Sequence, residues 1–221
     1  MTREDLVAEA AHRICQVRRS HPVRVAIDGV DAAGKTTLAN ELVGPLERLG
    51  RTVIRASIDG FHNPATVRYR RGDTSPEGYF RYSFNRSGLV EALLEPLGPC
   101  GTRRYRRAIF DFRVDSPVDA PVEDAPPNAV LLFDGVFLLS HDLVPYWDYS
   151  IFVRVDFEIA VARAEVRDRD LFGGASSVRQ RYEERYLPGQ RLYLSEAQPG
   201  RVACIVVDNN EVLRPALEEP G

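Results

Sequence analysis

The chain contains a single lysine. Of its 29 basic residues, Lys35 alone is not an arginine. Cysteine is scarce too: Cys15, Cys100 and Cys204 are odd in number, lie far apart and form no CxxC pair. That excludes a disulfide framework and a thiolate zinc site, and predicts reduced thiols in the core of a cytoplasmic protein. No apolar run reaches membrane-spanning length, so no membrane partner is expected. The opening residues, "MTREDLVAEAAHRICQVRR", mix both signs of charge and lack the apolar stretch of a signal peptide. A positive excess is also missing. The net charge is −3, which argues against nucleic acid as a partner. There is no internal repeat and no linker-like boundary, so the 221 residues read as one α/β domain.

What is present alternates. "VRVAID" (23–28), "TVIRASID" (52–59), "AVLLFDG" (129–135), "YSIFVRVD" (149–156) and "VACIVVD" (202–208) are apolar, β-branched runs. They read as buried strands of a parallel sheet with helices on both faces. Leu6, Ala10, Ile14 and Val17 recur at helical spacing before the first strand. "KTTLANELVGPLERLG" follows it as a helix closed by Gly50. "FEIAVARAEVRDRD" and "SSVRQRYEERYLPGQRLYLSEA" read as helices split by the glycines of "LFGGAS". Residues 60–128 form a long polar, aromatic, arginine-rich insertion, where substrate recognition is expected. Within it, Ser87 is a candidate cap for "GLVEALLEPL", and "TRRYRRAIFDFRVDSP" alternates like a hairpin.

Gly29, Gly34, Lys35 and Thr36 match GxxxxGK[ST] at a strand-to-helix junction. In that setting the backbone N–H groups from Gly29 through Val30, Asp31, Ala32, Ala33 and Gly34 to Lys35, Thr36 and Thr37 curl around a nucleotide's phosphates. The helix start adds its donors and dipole. The Thr36 hydroxyl is the expected ligand of Mg²⁺, and ATP the expected cofactor. Lysine's compact, hydrated point charge on a flexible stem suits the space between β- and γ-phosphates, and a broad guanidinium fork does not. This accounts for the one lysine in an arginine-rich chain.

Asp59 and Asp134 each end an apolar run and precede glycine, so both should emerge at the carboxyl edge of the sheet beside the P-loop. An acid there either orients Mg²⁺ or takes the proton of an attacking hydroxyl. Arg163 and Arg167 share one helical face, with Arg169 just beyond. They either close over a transferring phosphoryl group or form a solvated face among Glu165, Asp168 and Asp170.

The order "DGVDAAGKTTLANEL", "SIDGFH", "IFDF", "LLFDGVFLL", "ARAEVRDRD" resembles the uridine kinase and phosphoribulokinase group of P-loop kinases, in its bacterial uridine kinase-like branch. The resemblance runs from about Val23 to about Asn210. It implies a five-stranded parallel sheet of order 2-3-1-4-5 with a lid at about 163–180 between strands four and five. It also implies Asp59 as general base, Asp134 near Mg²⁺ where the family usually has glutamate, and Arg163, Arg167 and Arg169 in the lid. His62, Phe110, Asp111 and Phe112 would face the acceptor, and Asn209 would cover the adenine. Two departures stand out. The family's ribose-binding aspartate aligns with Tyr79, Tyr82 or Asn85, with Asp73 or Glu77 nearby, and a base-reading histidine aligns with Asp115. The expectation is a kinase moving the γ-phosphoryl of ATP to a hydroxyl, first of all of uridine or cytidine. The alternatives are a kinase of pantothenate, glycerate or a sugar phosphate, and a nucleotide-binding regulator with little turnover. Homo-oligomerisation is left open.

Overall fold

The computed structural model describes residues 1–220. Its centre is a sheet of six strands: β1 Val23–Gly29, β2 Thr52–Ser57, β3 Ala129–Gly135, β4 Tyr149–Arg154, β5 Ile205–Asp208 and β6 Ala216–Glu218. The spatial order is β2-β3-β1-β4-β5-β6. The first five strands are parallel and β6 pairs antiparallel with β5, Ala216 opposite Asp208. The expected five-stranded sheet therefore gains a sixth, antiparallel edge strand. β1 and β3 are buried along their whole length, as central strands covered on both faces should be.

Each face builds its own core. On one side Val25 and Ile27 of β1 pack with Leu38, Leu42 and Leu46, and with Leu6, Ala10 and Ile14 of the first helix. On the other, Ala26 packs with Phe133, Phe137, Leu93 and Tyr193. The first helix, Arg3–Gln16, starts from a capping box in which the Thr2 side chain accepts from Asp5 N–H and Asp5 answers the Thr2 N–H. Among the described residues no helix is long and apolar enough to cross a membrane.

The P-loop helix begins at Lys35, runs to Glu41 and resumes as Val43–Arg48. In the insertion Asn85, not Ser87, caps the short helix Arg86–Leu89. Asn85 Oδ1 accepts from Gly88 N–H at 2.9 Å, and Ser87 Oγ donates to the same oxygen. Phe110–Asp111 pairs with Ser116–Pro117, and Arg104–Tyr105 with Glu123–Asp124. Beyond β4, helix Phe157–Arg167 is followed by Ala175–Arg181, a π turn over Tyr182–Tyr186, and helix Leu187–Ala197. The cysteines are free, but only Cys15 is even partly buried; Cys100 and Cys204 are exposed, contrary to the expected core thiols.

Candidate functional site

The loop from Gly29 to Lys35 opens directly from β1. Ala32 and Gly34 adopt positive φ, and Ala33 N–H bonds back to Val30 O, so the chain doubles tightly before the helix. At Gly34, with φ +94°, a Cβ would lie 2.7 Å from Asn209 Nδ2; glycine is needed there for both space and conformation. Lys35 is buried, and its Nζ donates to Val30 O at 2.7 Å. Burial lowers its pKa, with Asp31 and Asp28 opposing.

Two cavities meet at Lys35 and Thr36. One, of about 460 Å³, is lined by Gly34, Lys35, Thr36, Thr37, Arg163, Arg167, Asn209 and Arg3. The other, of about 410 Å³, brings Lys35 and Thr36 together with Asp31, Asp59, Asp134, His62, Tyr79, Phe112 and Arg167. Arg167 thus borders both. It holds Asp168 through two hydrogen bonds of 2.7 and 2.8 Å. Arg163 donates to the backbone carbonyls of Asn209 and Asn210, tying the helix to the end of β5.

Some sequence-predicted residues lie elsewhere or do other work. Arg169 is exposed and lines neither cavity. Phe110 is in the core, and Asp111 accepts from Arg113 N–H; neither reaches the cavity. Asn209 is buried with both ends of its amide committed: Nδ2 donates to Ala33 O at 2.7 Å, and Oδ1 accepts from Arg3 at 3.1 Å. It braces the P-loop rather than offering its amide to a base. Tyr82 lies outside under the Arg70 guanidinium, and Asp115 is held by Arg68 and Ala65 N–H. Asp73 is exposed and Glu77 pairs with Arg71, so neither supplies the insertion's acid.

The acids at the strand ends sit differently. Asp134 is nearly inaccessible; Oδ2 accepts from Thr36 Oγ1 at 2.6 Å and Oδ1 from Arg55 at 2.7 Å. Asp59 stands in the short turn Ile58–Phe61 after β2 and keeps an exposed face to the cavity. The enclosure still desolvates its carboxyl and raises its pKa, with Asp31 and Asp134 adding to the rise and His62 opposing it. His62 Nδ1 lies 3.0 Å from Asp59 O, and its ring packs at 4.5 Å from Phe112 and 4.6 Å from Phe84. Burial lowers the His62 pKa. Among the described residues no three His, Cys, Asp or Glu side chains are grouped to hold a metal. Thr36 and Asp134 suit a cation held mainly through phosphate oxygens and water.

Sequence reasoning missed Arg55, Gln190, Tyr193 and Arg3. Arg55 lies on an edge strand and turns back to Asp134 of the neighbouring strand, and the other three lie far from any motif. A buried glutamine between Gly189 and an apolar helix face was the one signal available. It makes sense only after the helix is docked.

The fold and the cradle define an α/β protein of the P-loop class. No protein-family model matches the chain. It is 26% identical over 186 residues to a Schizosaccharomyces pombe protein described as "Putative uridine kinase", covering 76% of this chain and 75% of that one. It is 24% identical over 152 residues to the uridine kinase of Brevibacillus brevis, covering 67% of each. A Silicibacter structure described as a "putative fructose transport system kinase" superposes with a TM-score of 0.73 at 25% identity, covering 89% of this chain and 96% of that one. The chain is thus similar to proteins described as uridine kinases and to the structure of a sugar-transport kinase.

Proposed function

We propose that the protein transfers the γ-phosphoryl group of ATP to a hydroxyl of a small acceptor, with a pyrimidine nucleoside, uridine or cytidine, as the leading candidate. One observation carries the reading: Asp59 shares a cavity with Lys35 and Thr36. A carboxylate with a raised pKa beside the phosphate cradle is suited to accept the hydroxyl proton as the oxygen attacks. Its proton goes to Asp59, the new P–O bond forms at the acceptor oxygen, and the bond to the β-phosphate's oxygen breaks. Lys35 neutralises charge on the phosphates, and Arg167, bordering both cavities, is placed to close on the transferring group as part of a lid at about 163–180. Thr36 and Asp134 are the residues that would hold Mg²⁺, which would supply positive charge against the developing negative charge of the phosphates. The Thr36–Asp134 pair, where the two cavities meet, is consistent with such an occupant.

The aromatic wall of His62, Phe84 and Phe112 supports a planar base in the acceptor cavity. Tyr79 contributes less than the sequence implies, because its ring is buried edge-to-face against Phe137 and Tyr186. A second reading, a kinase of another hydroxylated metabolite such as glycerate, pantothenate or a sugar phosphate, is favoured by the lack of an insertion acid in the cavity and by Arg113 at its rim. An ATP-consumption screen over nucleosides, vitamins, glycerate and sugar phosphates decides between them. Uridine or cytidine should be turned over faster than pantothenate or glycerate. No pyrimidine response above background would hand the assignment to the second reading.

A further inference from the structure

Both hydrogen bonds that hold Asp31 fall on one of its oxygens. Tyr79 Oη donates to Oδ2 at 2.5 Å, and Gln190 Nε2 donates to the same atom at 2.6 Å. Among the described residues nothing donates to Oδ1, and Asp31 lines the cavity that also holds Asp59 and His62.

The support behind Asp31 is built closely. Gln190 is 1% exposed, and its Oε1 is buried without a partner. Turning the amide over would aim that oxygen at a carboxylate, so Nε2 stays on Asp31 even though Oε1 is left unpaired. Burial holds the Tyr79 phenol well above its ordinary pKa, which keeps it a donor. Gly189 lets helix Leu187–Ala197 meet helix Pro76–Tyr82: a Cβ there would lie 2.8 Å from both Pro76 O and Tyr79 Cδ1. A brace between the P-loop and these helices needs only one acceptor atom, which asparagine supplies. The carboxylate instead places a further negative charge near Asp59 and helps to raise its pKa. It keeps a second acceptor oxygen in return.

We infer that Asp31 Oδ1 accepts a hydrogen bond from a second hydroxyl of the acceptor, one that is not phosphorylated. The inference rests on the hydroxyl-kinase reading above. It narrows the substrate class to molecules with at least two hydroxyls, and it assigns to the P-loop the polar grip that neither Asp73 nor Glu77 provides.

The test is a cycle between protein and ligand, run on the full chain. Asp31→Asn keeps a carbonyl for Tyr79 and Gln190 and puts an NH₂ where Oδ1 was. Turnover is compared for uridine against 2′-deoxyuridine and 3′-deoxyuridine, and for D-glycerate against 3-hydroxypropionate and lactate. In the parent, removing the second hydroxyl should raise the acceptor KM by about tenfold to a hundredfold, the usual worth of a hydrogen bond to a charged group. Asp31→Asn should raise the diol's KM by a similar factor and add little for the deoxy analogue, with the KM for Mg·ATP unchanged. Inert uridine beside active D-glycerate rejects the nucleoside reading alone, and the cycle on D-glycerate still decides the role of Asp31. Additive losses, equal use of diol and analogue by the parent, a loss confined to Mg·ATP, or no turnover of either diol would each overturn the inference.

Discussion

The Thr36 hydroxyl and the Asp134 carboxylate are hydrogen-bonded at 2.6 Å across 98 residues of chain. Strand register makes this possible: Asp134 lies opposite Ile27 of β1 and Ser57 of β2, so β3 ends level with the mouth of the P-loop. Arg55 from β2 holds the other oxygen at 2.7 Å and fixes the orientation of the buried carboxyl group. Asp134→Asn should therefore leave the fold intact but raise the Mg²⁺ concentration for half-maximal activity by about tenfold, the worth of one weakened charge-assisted contact. A magnesium titration of initial rates reads this directly, and chelation with EDTA should abolish turnover in the parent. An unchanged titration would leave Asp134 as a structural partner of Arg55 only.

Lys35→Arg keeps the charge but should lose most phosphoryl transfer. The Lys35 side chain is buried and its Nζ reaches Val30 O inside the loop, so the five-donor fork of arginine has no matching space. Steady-state kinetics on the folded variant would sink the argument by returning activity within a few-fold of the parent.

Asp59→Asn separates chemistry from binding. A positioned base contributes about 10²–10⁴ in rate, so turnover should fall at least about a hundredfold. ATP affinity, held by Lys35, Thr36 and the loop backbone, should change only a few-fold by calorimetry. The pH profile carries a second signature. The Asp59 pKa is raised, so the active carboxylate is lost at a higher pH than an ordinary aspartate's would be. The acid limb of kcat/KM should lie above the ordinary value of 3.8 and should vanish from the residual activity of the variant. Near-normal turnover would pass the role of base to another acid of the cavity.

Much of this architecture is legible because its signals are local. The five parallel strands are apolar runs, the P-loop is a spacing of two glycines, a lysine and a threonine, and the acids at positions 59 and 134 follow strands and precede glycine. What escapes is set by tertiary packing. β6 is three residues in a proline- and acid-rich tail, and it becomes a strand only because the edge of β5 is there to pair with. Phe110, Asp111 and Phe112 look equivalent in sequence. The turn closed by Arg113 N–H on Asp111 leaves Phe112 at the cavity and Phe110 in the core. Asp31, Tyr79 and Gln190 come from a loop and two helices far apart in the chain, and no spacing rule links them.

Asp28 shows the same long-range dependence in its stability. It is fully buried at the end of β1, directly before the P-loop. Oδ1 accepts from Gly29 N–H at 2.8 Å, and Oδ2 accepts from Leu139 N–H at 3.3 Å and from the Tyr193 hydroxyl. Desolvation outweighs these bonds and pushes its pKa from 3.8 up to about 6. A carboxyl whose folded pKa exceeds its unfolded value binds protons more tightly in the native state. Its effect on stability is therefore most favourable below about pH 3.8, declines as pH rises, and reaches its full penalty above about 6. Tyr193 donates to this carboxylate, and the bond matters most when Asp28 is charged. Tyr193→Phe should then cost about 1.5–3 kcal/mol at pH 8, the range for a hydrogen bond to a charged group. At pH 5, where Asp28 is largely protonated, the cost should shrink to that of a neutral bond, about 0.5–1.5 kcal/mol. Urea unfolding of parent and variant at both pH values measures the difference. A cost independent of pH would mean that Asp28 does not change charge over this interval.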